Sequence, residues 1–258
     1  MKKKQLLNKL PTLHHSYIPI NNDTIQAIVA EISVFYAHRS GYRIVLHTNN
    51  AGAKEFSHIP YDEVIFDLNG IKELPKGIYA FSKFKAMENI PLGDVHIDLD
   101  VWIKKPCINT FSDVIVQSLE YWNDGLIRLP IWNMRSRCYT NCKYPEWASR
   151  ECLQMYNCGV IGFNNNKAKQ EFIDTYYKMI EEYAAKGTYI PRAIPDIIIE
   201  QQFLYDLCKY YKLDVTLVLP KCTMEEADKI GYQHLIGDCK RAERDKILKV
   251  LNYIRKQN

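Results

Sequence analysis

Residues 93–106 read GDVHIDLDVWIKKP, and apolar side chains alternate with polar ones along the first part of this segment. Alternation of this kind predicts a β-strand, which Pro106 ends. Residues two apart in a strand point to the same side, so the carboxylates of Asp98 and Asp100 should approach one point in space. Two close carboxylates repel, and a divalent cation such as Mn²⁺ or Mg²⁺ relieves the repulsion while binding substrate phosphates. The alternative is a half-exposed strand whose polar face carries two acids by chance.

The surrounding sequence predicts an α/β fold. Arg43–His47 and Val64–Phe66 read as buried strands, and a helix from Asn22 or Asp23 to about Ser40 precedes them. Strand and helix in alternation predict a Rossmann-like domain with a mostly parallel central sheet flanked by helices. The other predicted elements are a strand at 13–17, a helix at 79–88, strands at 113–119 and 158–163, helices at 167–185 and from 195, a strand at 214–219 and a helix at 241–255.

Length and charge suit a single globular domain. The chain has 258 residues, 25% of them charged, and a net charge of +4 that does not require a nucleic-acid partner. Basic clusters at both ends allow loose attraction to an anionic membrane surface, although both ends can equally be solvated. Because there is neither a signal peptide nor an apolar run of about 18 residues, we expect a cytoplasmic protein, at most attached to the inner face of the membrane. Its eight cysteines then read as reduced thiols.

Two further segments carry groups suited to phosphate chemistry. In HLIGDCK, residues 234–240, the imidazole of His234 can ligate a metal, Gly237 permits close backbone approach to a phosphate, and Lys240 can neutralise phosphate oxygens. In FSKFK, residues 81–85, Lys83 or Lys85 could reach a diphosphate or a donor sugar. The plainer interpretations are a loop histidine and a solvated helix face, which is the usual position of a lysine.

These segments resemble the GT-A glycosyltransferases, especially the retaining glycogenin and lipopolysaccharide galactosyltransferase family. HIDLDVWIKKP is similar to the family's DxD strand, and HLIGDCK to its H-x-x-G-x-x-K pattern. YNCGVIGF, residues 156–163, resembles its Asn-x-Gly segment, and IIIEQQFL, residues 197–204, resembles its Asp-Gln helix, with a glutamate in the place of the aspartate. Order and rough spacing also agree over about residues 13–240.

The resemblance implies three groups of site residues. The metal, Mn²⁺ or Mg²⁺, would be held by Asp98, Asp100 and His234. The phosphates, donor sugar and nucleotide would be contacted by Lys83, Gly237, Lys240, Thr48 and Asn49. The reacting face and the sugar pocket would be formed by Glu200, Gln201 and Asn157.

The resemblance also implies a hexosyltransferase of the retaining type that uses a nucleotide-sugar, with UDP expected, in bacterial capsule or surface-polysaccharide synthesis. One domain over 1–258 would comprise a donor-binding half at about 13–120, an acceptor half at about 121–240 and a C-terminal helix at 241–258. The acceptor, a glycan or lipid-linked sugar, would meet the aromatic-rich stretch 121–156, which could equally fill a hydrophobic lid. Two outcomes stay open: retention, or inversion with Glu200 as base.

Two other classes of protein remain compatible with these residues. One is a metal-dependent nucleotidyl- or phosphotransferase, although no Gly-rich phosphate loop of the G-x-x-x-x-G-K type occurs in the sequence. The other is a non-catalytic nucleotide-sugar-binding module that has kept the fold. Turnover of a bound donor would separate the transferase from the module.

Overall fold

The computed structural model describes residues 10–19, 25–71, 80–121, 145–148, 154–185, 197–235 and 239–257. The strands are β1 Leu13–Tyr17, β2 Ile44–Thr48, β3 Glu63–Ile65, β4 Val95–Ile97, β5 Val101–Ile103, β6 Val114–Tyr121, β7 Gln154–Phe163, β8 Val215–Leu217 and β9 Tyr232–His234. The helices are α1 Ile25–Arg39, α2 Asn50–Glu55, α3 Phe81–Asn89, α4 Asn166–Ala185, α5 Phe203–Tyr211, α6 Met224–Ile230, α7 Cys239–Ala242 and α8 Arg244–Arg255, and a π-helical segment at Ile197–Gln202 leads into α5.

Within the described residues, the main sheet has the strand order β3-β2-β1-β4-β7-β6-β8. The pairs β1–β2, β1–β4, β2–β3 and β6–β8 are parallel, whereas β7 runs antiparallel to both of its neighbours. Strands β5 and β9 form a separate antiparallel pair. The expected α/β class with a mostly parallel sheet is therefore confirmed.

Helices cover the central strands of the sheet on both faces. β2 is buried along its whole length, as strands between two helical layers usually are. On one side, α3, α4 and α5 pack over β6 and β7, where the rings of Phe84 and Tyr176 stack at 3.5 Å between centroids. On the other side, Ala30 and Val34 of α1 pack against β1 and β2, and α8 docks on α1 through Ile247 and Leu251.

The prediction of one continuous strand over residues 95–101 is wrong. β4 ends at Ile97, a turn follows, and β5 begins at Val101 in the other sheet. The N–H of Asp98 donates to the carbonyl of Gly159 at 2.9 Å, and the N–H of Val101 donates to the carbonyl of Asp98 at 3.0 Å. These bonds close the turn and carry the chain from one sheet to the other. Alternation misled here because both faces of β4 are covered, and His96 is as buried as its apolar neighbours.

Several predicted boundaries shift, and some predictions cannot be compared. The C-terminal helix divides into α7 and α8, β7 begins four residues before the predicted 158, and the segment read as a helix from 195 is π-helical at 197–202. The predicted start of the first helix at Asn22 or Asp23 lies outside the described residues, as does the start at 195. Among the helices that the structure describes, none is long and apolar enough to cross a bilayer.

Candidate active site

An open cavity of about 330 Å³ lies where β1 and β4 end. The carboxyl ends of parallel strands are the usual ligand edge of an open α/β sheet. The lining is mostly polar and consists of Ser16, Gln26, Ser82, Lys83, His96, Asp98, Leu99, Asp100, Asn157, Cys158, Glu200, Gln201, His234 and Lys240.

Two acids and an imidazole converge on one side of this cavity. His234 Nε2 lies 4.0 Å from Asp98 Oδ2 and 3.5 Å from Asp100 Oδ1, and one ligand atom from each residue falls within 4.8 Å of the other two. Ligands at about 2.1 Å from an octahedral cation are separated by about 3 Å at right angles and about 4.2 Å across the ion. The donor set and its spacing therefore suit Mn²⁺ or Mg²⁺.

Each of these carboxylates also holds a lysine with its second oxygen. Lys83 Nζ lies 2.7 Å from Asp98 Oδ1, and Lys240 Nζ lies 2.6 Å from Asp100 Oδ2. The oxygens that face His234 are thus the ones that the lysines leave free. This division orients both acids, because a carboxylate whose one oxygen is held presents the other in a defined direction.

The charges in the cavity modify one another. Burial alone would raise the pKa of Asp100, but His234 and Lys240 outweigh it and hold this pKa well below its usual value. Burial alone would lower the pKa of Lys83, but Asp98 and Glu200 outweigh it and hold this pKa well above its usual value. Burial raises the pKa of Glu200 against the opposing effect of Lys83. Asp100 therefore stays ionised and Lys83 stays charged at neutral pH.

A β-bulge in β7 supplies two backbone oxygens to the site. Val116 is paired with Ile161 but Ser118 with Asn157, so β7 carries extra residues at Cys158 to Val160. The bulge presents the Cys158 carbonyl to Lys83 Nζ at 3.0 Å and the Gly159 carbonyl to the N–H of Asp98. Bulges occur preferentially beside active sites because they redirect backbone and side chains locally.

Lys83 lines the cavity, and protein oxygens surround its ammonium. Its ammonium donates to Asp98, to Glu200 Oε1 at 2.6 Å and to the carbonyl of Cys158. A lysine has three N–H donors, and these three protein oxygens account for all of them. The alternative interpretation, a solvated helix face, is wrong for this residue, since Lys83 is buried.

Two of the residues predicted for the reacting face lie beside Glu200. Gln201 lines the cavity together with Asn157. The amide of Asn157 donates to Glu120 Oε1 at 2.6 Å, and its oxygen accepts from the N–H of Gly159 at 2.9 Å. Asn157 therefore has a fixed orientation at the cavity wall.

The remaining predicted residues do not line the cavity or lie outside the described part of the chain. The hydroxyl of Thr48 donates to the carbonyl of Tyr17 at 2.6 Å, and the side chain of Asn49 accepts from the N–H of Gly52 at the start of α2. Gly237 lies outside the described residues, as does most of the aromatic stretch 121–156. Trp147 is described, and its Nε1 donates to Glu171 at 2.9 Å.

Two contacts at the site were missed from the sequence. Gln117 Oε1 lies 2.7 Å from His234 Nδ1, and the available signal was an amide directly after the apolar run of residues 114–116 on β6. The hydroxyl of Ser16 lies 2.9 Å from His96 Nε2. This contact joins β1 and β4, and the sequence of neither strand carries a pattern that predicts it.

Fold and site together define an α/β protein with an acid–histidine cluster at the carboxyl edge of its sheet. The chain belongs to DUF6734, a family of unknown function, whose family model matches residues 29–257. A comparison with curated proteins gives no match.

Among solved structures, the chain is similar to the galactosyltransferase LgtC in complex with donor and acceptor sugar analogs, with 10% identity over 94% of this chain and 95% of that chain and a TM-score of 0.45. It is similar to a glycosyltransferase involved in the glycosylation of the major capsid of PBCV-1, with 13% identity over 93% of this chain and 100% of that chain and a TM-score of 0.44. It is also similar to the glycosyltransferase GlyE in Streptococcus pneumoniae TIGR4, with 12% identity over 97% of this chain and 64% of that chain and a TM-score of 0.43.

Proposed function

We propose that residues 1–258 form one metal-dependent glycosyltransferase domain of the GT-A type, which moves a sugar from a nucleotide-sugar, UDP-linked in our expectation, to a glycan or lipid-linked acceptor. The observation that carries this proposal is the convergence of Asp98, Asp100 and His234 at the carboxyl edge of the sheet. Two lysines adjoin the same acids. Carboxylates, an imidazole and ammonium groups around one cavity suit a metal-bound diphosphate.

The balance of charge supports the same ligand. Three carboxylates, those of Asp98, Asp100 and Glu200, and two ammonium groups, those of Lys83 and Lys240, border the cavity. With His234 neutral, they leave one net negative charge, which a divalent cation converts to one net positive charge. A cavity with that charge attracts the diphosphate of a sugar nucleotide more than a neutral sugar.

In the proposed reaction, the bond between the anomeric carbon and the diphosphate oxygen breaks, and the acceptor hydroxyl oxygen forms the new bond to that carbon. A bound Mn²⁺ or Mg²⁺ would supply charge stabilisation to the departing diphosphate. Lys240, which lines the cavity and is more exposed than Lys83, would exchange Asp100 for a phosphate oxygen. Lys83 would keep Asp98 and Glu200 in place rather than bind the donor.

The proton of the acceptor hydroxyl has two destinations. In a retaining transfer on the same face, it goes to the departing phosphate oxygen. In an inverting transfer, it goes to Glu200, whose pKa burial raises above its usual value. Asn157 and Gln201, on the same wall, would contact the sugar. Comparing the anomeric configuration of donor and product by NMR distinguishes the two routes.

Ligand-dependent thermal stability tests the proposal directly. We expect UDP and UDP-sugars to raise the unfolding temperature in the presence of Mn²⁺ and much less in EDTA. A ligand at 100 times its dissociation constant adds about 2.7 kcal/mol of stability. Asp100→Asn should remove most of the shift seen with Mn²⁺, so that the values in Mn²⁺ and in EDTA become similar. Asp228→Asn, which alters an exposed acid on α6, should leave the Mn²⁺-dependent shift unchanged.

Turnover then separates the three classes of protein. A glycosyltransferase should release UDP slowly from a bound UDP-sugar when no acceptor is present. A nucleotidyltransferase would instead release pyrophosphate from a nucleoside triphosphate, and a binding module would release neither. If no nucleotide or nucleotide-sugar gave a Mn²⁺-dependent shift, the proposed function would be wrong.

A further inference from the structure

Gln117 is a buried polar residue beside the metal-ligand group. It follows Val114-Ile115-Val116 on β6, lies opposite the bulge of β7 and is only 3% exposed. An amide in such a position carries a large desolvation cost unless its oxygen and nitrogen find partners. Its oxygen has two donors, and both come from β9.

The contact with Gln117 determines which ring nitrogen of His234 carries a proton. Gln117 Oε1 accepts from the hydroxyl of Tyr232 at 2.7 Å and from Nδ1 of His234 at 2.7 Å. An amide oxygen can only accept, so Nδ1 of His234 must carry a proton. In the neutral ring, the lone pair then lies on Nε2, which is the atom that faces Asp98 and Asp100.

Strand geometry brings both donors to the same oxygen. Tyr232 and His234 are two apart on β9, so they project to the same side, whereas Gln233 projects to the other side and accepts from Lys104 Nζ. Gly159 provides the space for the contact. A Cβ added at Gly159 would lie 2.4 Å from Gln117 Oε1 and 2.5 Å from His234 Cε1.

We propose that Gln117 is a positioning residue that holds His234 in the Nδ1–H tautomer, with Nε2 directed as a ligand to the divalent cation. The inference rests on the proposed function only in requiring that the site binds a cation. Partners of this kind orient metal-binding histidines in other proteins, and their loss weakens metal affinity about 10–100-fold.

Direct titration of the protein with Mn²⁺ tests this role without an activity assay. We expect Gln117→Met, which keeps the length but removes the accepting oxygen, to weaken Mn²⁺ binding at least tenfold by calorimetry. Gln117→Glu, which restores an acceptor, should recover most of the affinity. Gln233→Met is the matched control, because it makes the same substitution next to His234 on the opposite face, and it should stay within twofold of the wild type.

Pulsed EPR of bound Mn²⁺ adds a readout that a merely structural role would not change. The wild-type protein should show coupling to one imidazole nitrogen, which His234→Ala removes. Gln117→Met should also lose or weaken this coupling although His234 is retained. Wild-type affinity and undiminished nitrogen coupling in Gln117→Met would overturn the inference.

The failures of the two proposals are distinguishable. Absence of Mn²⁺ binding by the wild-type protein would refute the metal site itself. If the wild-type protein binds Mn²⁺ and Gln117→Met binds it equally tightly, only the role of Gln117 is refuted. If Gln117→Met does not fold, nitrogen NMR of the histidine rings in the metal-free wild-type protein provides the test, since a protonated Nδ1 on His234 is required and a protonated Nε2 with a bare Nδ1 refutes the inference.

Discussion

Replacement of His15 by glutamine should make the folded protein less sensitive to acid. His15 is fully buried on β1, and its ring nitrogens contact the hydroxyl of Tyr61 at 2.8 Å and the hydroxyl of Ser33 at 3.2 Å. Burial lowers the pKa of His15 to about 3, although Asp100 opposes the change. The folded protein therefore keeps this ring neutral at pH values where the unfolded chain protonates it.

The size of the effect follows from the two pKa values. Between the unfolded value of 6.5 and the folded value of about 3, the unfolded state binds a proton that the folded state does not. Stability from this residue is fully present above pH 6.5 and falls by about 1.36 kcal/mol for each pH unit below it. At pH 5.0, about 2 kcal/mol of the stability seen at pH 7.5 should therefore be lost through His15 alone.

Urea unfolding at pH 7.5 and 5.0, in EDTA, measures this contribution. The wild-type protein should lose about 2 kcal/mol more than His15→Gln over that interval. Other buried histidines, among them His14 and His96, are present in both proteins, so most of their contribution cancels in the difference. Val34→Ala is the control, because a buried apolar truncation should lower stability equally at both pH values. If His15→Gln lost as much stability between pH 7.5 and 5.0 as the wild-type protein does, the reasoning would be refuted.

Three further changes probe the packing around the site. Lys83→Met leaves Asp98 and Glu200 without their shared ammonium, and it should cost about 3–5 kcal/mol in urea unfolding, part of which Glu200→Gln restores in a double-mutant cycle. Leu251→Ala removes a side chain that is buried where α8 meets α1 and should cost about 2–5 kcal/mol, so a loss below about 1 kcal/mol would contradict the docking of α8. Thr223→Ala removes the N-cap of α6 and should cost about 1 kcal/mol, seen as roughly fivefold faster hydrogen exchange in that helix.

Local pattern was sufficient for much of the fold. Residues 13–17 form β1 as predicted, and 167–185 lie within α4, where a long amphipathic helix carries its own periodic signal. The prediction that Asp98 and Asp100 meet was correct in outcome but wrong in cause. Their carboxylates converge across a turn between two sheets, and the pairing that forms this turn involves Gly159, which is distant in sequence.

The rest of the site depends on contacts that periodicity does not encode. Lys83 and Glu200 are 117 residues apart in sequence, and so are Gln117 and His234. The usual exposure of lysine made a solvated helix face the plainer interpretation of Lys83, but α3 packs against β1 and Lys83 is buried at the cavity. A buried ammonium is tolerated only where carboxylates pair with it. The position of Lys83 therefore depends on Asp98 and Glu200, and the sequence of α3 alone left both the site interpretation and the solvated one open.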